Sequence, residues 1–194
     1  MRSLFVGTDN YQAGLDSGKR IAQLLHGTGR VVLIPIPGQL NVDERVRGLE
    51  DAFRNFPKME IVKRLYDKGD PKSANEQISA LLESKNAKDK FDGIVCVEAS
   101  GGAGAAEVLH RLNLEGKFPI VAMDDSPDTL DWISKGVISA TIAQKPYTMS
   151  FYGLKLLDDL HHNAVHLFKD WRTSPVSPLP AKVDTGTPFS SREK

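Results

Sequence analysis

Short apolar runs recur along the chain at intervals, separated by longer stretches in which apolar residues return every three or four positions. The runs at residues 31–34, 61–62, 94–97, 120–123 and 138–142 are rich in Val and Ile, and most of them are apolar on both faces. That is what a parallel sheet covered by helices requires, whereas a half-solvated strand would alternate. Residues 4–7 form a shorter opening strand. Between the runs, residues 14–25, 43–55, 74–83, 103–112 and 129–134 carry a one-sided helical stripe, as with Val46, Leu49 and Phe53. Pro57, Gly116 and Gly136 punctuate helix exits. Strand and helix alternate throughout, which predicts an α/β fold: a doubly wound parallel sheet in three layers, α/β/α, with right-handed crossovers.

After Gln144 the pattern changes. Lys145-Pro146 opens a further helix over residues 147–162, with Met149, Tyr152, Leu156, Leu157 and Leu160 apolar. Past Trp171, Pro175, Pro178, Pro180 and Pro188 predict an extended, loosely held tail. The expected organisation is one lobe at 1–144, a helix at 145–168 that needs a packing partner, and a tail at 169–194. An exposed stripe as large as that of 147–162 is unusual in a monomer, so self-association as a homodimer through this helix is expected.

Bulk properties exclude some functions. The 194 residues can bury one core with an appendage. Twenty-five basic side chains balance 25 acidic ones, so no overall field favours nucleic acid or an anionic membrane. No apolar run approaches the roughly 20 residues that span a bilayer. The chain reaches its first strand at once, which leaves no room for the apolar stretch of a signal peptide. The lone Cys96, set in an apolar run, reads as a core residue.

Ligands of open parallel sheets bind outside the carboxyl ends of the strands. At that edge the strands are followed in turn by Asp9 and Asn10, by Gln39, Asn41, Asp43, Glu44 and Arg45, by Asp67, Lys68 and Asp70, by Glu98 and Ser100, by Asp124 and Asp125, and by Gln144. Helix caps account for about half of these, since Asp, Asn and Ser are favoured there. Arg45, Asp124 and Gln144 exceed that expectation. Carboxylates accept from hydroxyls, arginine donates a rigid fork and glutamine does both, a set suited to polyhydroxy ligands. No Gly-x-Ser-x-Gly elbow and no strand-end histidine supplies a nucleophile with its base, so binding outranks catalysis.

Four stretches resemble the type I periplasmic sugar-binding family. They are Phe5-Val6-Gly7-Thr8-Asp9-Asn10 with Gly14 and Gly18; Glu44-Arg45 with Gly48-Leu49 and Ala52-Phe53; Met123-Asp124-Asp125-Ser126-Pro127; and Ala140-Thr141-Ile142-Ala143-Gln144 with Pro146. In collinear order they cover residues 4–163. The resemblance implies the carboxyl-terminal lobe of a two-lobed sugar ABC-transporter substrate-binding protein that lacks most of its first lobe. It implies a sugar or polyol ligand, no cofactor, a membrane permease as partner of the complete protein and a periplasmic location. The implied ligand contacts are Arg45, Glu98, Asp124 and Gln144, with Asp70 and Asn41 alongside. Glu98 departs from the usual asparagine or aspartate, and Gly69 stands where an aromatic often stacks on the sugar, so the sugar stays open.

Two other functions use the same features. The fold also serves as the effector-binding domain of LacI-type regulators, though no DNA-binding segment is visible. The glycine loop Gly101-Gly102-Ala103-Gly104 between a strand and a helix resembles a dinucleotide fingerprint, but its third glycine position is Glu107 and a carboxylate precedes the loop. Close helix–sheet packing explains it better. Asp158, His162 and His166 share a helical face at metal-ligand spacing, yet a solvated helix end is the commoner origin of such a pattern. Trp132 and Trp171 read as packing residues.

Overall fold

The computed structural model describes residues 4–164 and 179–191. Its central feature is a six-stranded sheet in the order β3-β2-β4-β5-β6-β8, formed by Thr28–Ile34 (β2), Lys58–Arg64 (β3), Gly93–Cys96 (β4), Ile120–Met123 (β5), Ala140–Ile142 (β6) and Phe189–Ser190 (β8). All pairings are parallel except that of β8, which runs antiparallel to β6.

Each central strand feeds two cores by the two-residue period of a strand. Val32 and Ile34 of β2, Ile94 and Cys96 of β4, and Ile120 and Ala122 of β5 enter one core. There they meet helices Pro71–Glu83 (α3), Gly101–Arg111 (α4) and Pro127–Ser134 (α5) through Ile78, Leu109 and Ile133. Val31 and Leu33, Val95, and Val121 and Met123 enter the other core, covered by Asn10–Leu24 (α1) and Leu40–Phe53 (α2) through Ile21 and Leu49. The expected doubly wound, three-layer α/β/α arrangement is therefore present. Cys96 is a fully buried member of the first core, and burial pushes its thiol pKa well up.

The sequence pattern puts the opening strand in the main sheet. Instead, Phe5–Gly7 (β1) pairs in parallel with Lys182–Asp184 (β7) as a separate two-stranded sheet. The chain divides into two compact units, one of Met1–Asp9 with Gln144–Thr187 and one of Asn10–Ala143 with Pro188–Lys194. The tail from 179 is accordingly not loosely extended. Ala181 accepts from the Phe5 amide and Thr185 donates to Gly7, closing the ladder around β1. Pro180 and Pro188 lie just outside the two short strands, where a missing N–H costs no ladder bond.

Helix Pro146–Asp159 (α6) continues into a π-helical turn, Leu160–Ala164, and buries none of its residues. Tyr147, Leu154 and Leu157 are 80%, 71% and 63% exposed. No helix among the described residues is long and apolar enough to cross a membrane. His162 pairs with Asp158 one turn earlier, while His166 and Trp171 lie outside the described residues. Among the described residues no group of three His, Cys, Asp or Glu side chains converges to hold a metal.

Candidate ligand site

Strand order fixes where a site can form. From β2 the chain moves outward to β3, then returns to add β4 on the opposite side of β2. The crossovers leaving β2 and β4 therefore diverge to opposite faces of the sheet and open a crevice at the carboxyl ends of those strands. Arg45 follows β2 on α2, and Glu98 follows β4.

Arg45 is 4% exposed, rare for an arginine without a carboxylate in direct contact. Its Nε donates to Asn10 Oδ1 at 2.9 Å and its Nη1 to the carbonyl of Val97, also at 2.9 Å. Those are its only hydrogen bonds among the described residues, which leaves three of the five guanidinium N–H donors without a protein acceptor. Nη2 carries two of them. Burial lowers the guanidinium pKa, and the fields of Asp124 and Glu98 push it back up.

Glycines bring Arg45 to its place. A Cβ on Gly14 of α1 would lie 1.9 Å from the Arg45 carbonyl oxygen, and one on Gly48 of α2 would lie 2.0 Å from that of Tyr11. The two helices touch backbone to backbone at this crossing, so the start of α1, with Asn10, sits against the first turns of α2. Ala52 closes on Gly18 one turn further along.

Glu98 is 5% exposed and serves as the cap of α4. Its Oε2 accepts from the Ser100 amide at 2.7 Å and hydroxyl at 2.6 Å, and its Oε1 accepts from the Gly101 amide. Ser100 itself makes no side-chain cap. Two of the amides at the helix entrance, those of Ser100 and Gly101, are thus taken by a carboxylate. Gly102 packs on Ala122 and Gly104 on the Pro71 carbonyl, so the glycine loop serves helix packing.

Asp67, 2% exposed, lies on the other side of Ser100. Its Oδ2 is 3.4 Å from the Ser100 hydroxyl, and its Oδ1 accepts from the Gly69 amide at 2.8 Å. Burial raises the Glu98 pKa; the bonds from Ser100 and Gly101 oppose this and the charge of Asp67 adds to it. Asp67 stood among the strand-end residues in the sequence without being singled out. The signal was its spacing two residues before Gly69, whose φ of +80° allows the tight carboxylate turn.

Asp124, at the end of β5, has a φ of +66°. An L-residue in this left-handed conformation costs on the order of 1 kcal/mol, and such positions gather at functional sites. The position is held from both sides: the Asp124 amide donates to Ile142 O at 2.8 Å, and Thr141 Oγ1 donates to Asp124 O at 2.6 Å.

The remaining sequence-derived residues divide. Asp70 Oδ1 accepts from the Ser73 amide at 2.8 Å and caps α3. Asn41 is exposed in the first turn of α2. Gln144 belongs to the other compact unit, where its Oε1 accepts from the buried Thr8 hydroxyl at 3.1 Å. Within a single unit, Glu98 and Asp124 are thus the two sequence-derived residues whose charges act on Arg45.

Comparison with known proteins gives the family. The chain is 27% identical over 158 residues to the D-allose-binding periplasmic protein of Escherichia coli strain K12, covering 80% of this chain and 50% of that protein. Its structure matches a sugar ABC transporter sugar-binding protein from Bacillus halodurans with a TM-score of 0.86 at 32% identity, covering 98% of this chain and 65% of that one. AraP, an arabinose-binding protein from Geobacillus stearothermophilus, matches with a TM-score of 0.84 at 34% identity, covering 98% and 63%. The chain thus spans half the length of the allose-binding relative and just under two thirds of these solved ones. The family model of the periplasmic binding protein domain matches residues 1–163, and the chain belongs to that family, of type I.

Proposed function

We propose that this chain is the carbohydrate-binding lobe of a sugar ABC-transporter substrate-binding protein, acting outside the cytoplasm as a binder and not as an enzyme. Arg45, Asp124 and Glu98 would contact a sugar or polyol, with Asn41 and Asp70 at the rim. The observation that carries this reading is Arg45: a buried guanidinium anchored through Nε and Nη1, with no acceptor for Nη2 among the described residues, at the topological switch point of a parallel sheet. A solvated arginine would need no anchors, and a structural one would use more of its donors.

The chemistry suits hydroxyl recognition. A pyranose or furanose presents adjacent hydroxyls, each donor and acceptor at once, and an arginine fork beside carboxylates meets both roles. Glu98 has its Oε2 filled by Ser100 and keeps one lone pair on Oε1, so it would accept from a single hydroxyl. The names of the allose- and arabinose-binding relatives support the ligand class, and the transporter permease would be the partner of the complete receptor. Self-association through α6 is the further assembly we propose.

The test is a titration of the isotopically labelled chain with D-allose, D-arabinose, D-ribose and D-glucose at millimolar concentration, followed by amide NMR. At least one sugar is expected to shift the amides around Arg45, Glu98 and Asp124, and Arg45→Met to weaken that response by about 30-fold or more, as expected for a charge-assisted contact. No response to any sugar at those amides refutes the proposal.

A further inference from the structure

We infer that Asn10 is a positioning residue for the sugar-binding guanidinium: it fixes the plane of Arg45 from behind and so determines which of its donors a ligand meets. The inference rests on the carbohydrate-binding reading above and adds to it a residue outside the set expected to touch the ligand.

The geometry is specific. A guanidinium is planar, so two bonds to different nitrogens remove both its rotation about the side-chain axis and its tilt. Here the Val97 carbonyl holds Nη1 and the Asn10 carboxamide oxygen holds Nε, each at 2.9 Å. The Val97 acceptor is backbone at the end of β4 and rigid with the sheet. Asn10 supplies the second point, at the first residue of α1. With Nε and Nη1 both engaged on the protein side, Nη2 is the nitrogen left for an outside acceptor.

Among the described residues Asn10 and the Val97 carbonyl are the acceptors that Arg45 has. Among the described residues no carboxylate forms an ion pair with Arg45 within 4 Å, although Asp124 and Glu98 both act on it through their fields. Glu98 Oε1 and Oε2 already accept from Gly101 and Ser100. Without the Asn10 oxygen the guanidinium keeps one anchor and can swing toward those charges, hiding Nη2. The close crossing set by Gly14 and Gly48 makes the position of Asn10 reproducible, because α1 cannot slide on α2 without a backbone collision.

The experiment compares Asn10→Leu, which keeps the shape and removes the acceptor, with Asn10→Asp, which keeps an acceptor oxygen. The Arg45 Nε–H exchange rate is measured by NMR on the sugar-free chain. Exchange is expected to be slow in wild type and Asn10→Asp and about 10-fold or more faster in Asn10→Leu, the factor for losing one hydrogen bond to a charged group. Equal exchange in wild type and Asn10→Leu overturns the inference. The second readout is affinity for D-allose and D-arabinose. Asn10→Leu should weaken binding about 10-fold, Asn10→Asp should restore most of it, and Asn10→Leu combined with Arg45→Met should be no weaker than Arg45→Met alone. Losses that simply multiply in the double variant overturn it as well. Should no sugar bind wild type, the carbohydrate reading fails, while the exchange rate still decides whether Asn10 holds Arg45.

Discussion

Replacing Gly14 with alanine tests whether the α1–α2 crossing sets the site. The added Cβ would stand 1.9 Å from the Arg45 carbonyl oxygen, with the Arg45 carbonyl carbon and Cα at 2.7 and 2.8 Å. All three atoms are backbone, so no rotamer change relieves the clash. An ordinary contact needs about 3.5 Å, so the helices must part locally by roughly 1.5 Å. Two effects compete. Alanine in a helix interior is favoured over glycine by about 1 kcal/mol, and overpacking costs about 1–3 kcal/mol, here at the upper end because the obstacle is rigid. The clash should win, leaving a net loss of about 2 kcal/mol and a fall in Tm of roughly 4–8 °C. The same displacement would stretch the 2.9 Å bond from Arg45 Nε to Asn10 past hydrogen-bonding distance, so sugar affinity should fall about 10-fold. Thermal unfolding by circular dichroism and sugar titration would be run on Gly14→Ala and, as a control far from the crossing, on Gly153→Ala in α6, where a Cβ meets nothing. If Gly14→Ala melts no lower than Gly153→Ala and binds sugar like wild type, the crossing does not hold Arg45.

Asp124→Gly should preserve stability within about 1 kcal/mol, because glycine accepts the φ of +66° freely, while abolishing sugar binding; Asp124→Val, β-branched in a left-handed conformation, should unfold more easily. Equal destabilisation by both in chemical denaturation would contradict the backbone argument. The Glu98 carboxyl, followed by carbon NMR, should titrate above the ordinary glutamate range, and Asp67→Asn should lower its midpoint by removing the neighbouring charge. Because the folded pKa is raised, the stability contributed by Glu98 is complete below the unfolded glutamate pKa and is lost as pH rises through the elevated value. A midpoint indifferent to Asp67→Asn would show that the two carboxylates do not sense each other. The exposed stripe of α6 should drive concentration-dependent association in sedimentation velocity, abolished by Leu154→Glu with Leu157→Glu; a wild-type monomer throughout the micromolar range would rule out that assembly.

Periodicity alone was enough for the layered core. The two-residue alternation at Val31 through Ile34 and the helical stripe ending in Leu49 and Phe53 are local properties, and burying both leaves little choice but helices on two faces of a parallel sheet. Arg45 and Asp124 stand out in the sequence as well, since neither residue type at its position is explained by capping. Long-range pairing was not. Nothing within residues 4–7 says that they join residues 182–184 across the chain rather than the neighbouring sheet, because a three-residue strand carries too little pattern to specify its partner. Nor does the sequence show how a carboxylate divides its lone pairs. Glu98 caps a helix, Asp70 caps another, and Asp67 is buried beside Glu98, although all three are acidic residues following strands. Which of them faces a ligand depends on where amides and hydroxyls from other elements arrive. That is decided only when the helices cross, and here the crossing of α1 and α2 also brings Asn10 to the guanidinium of Arg45.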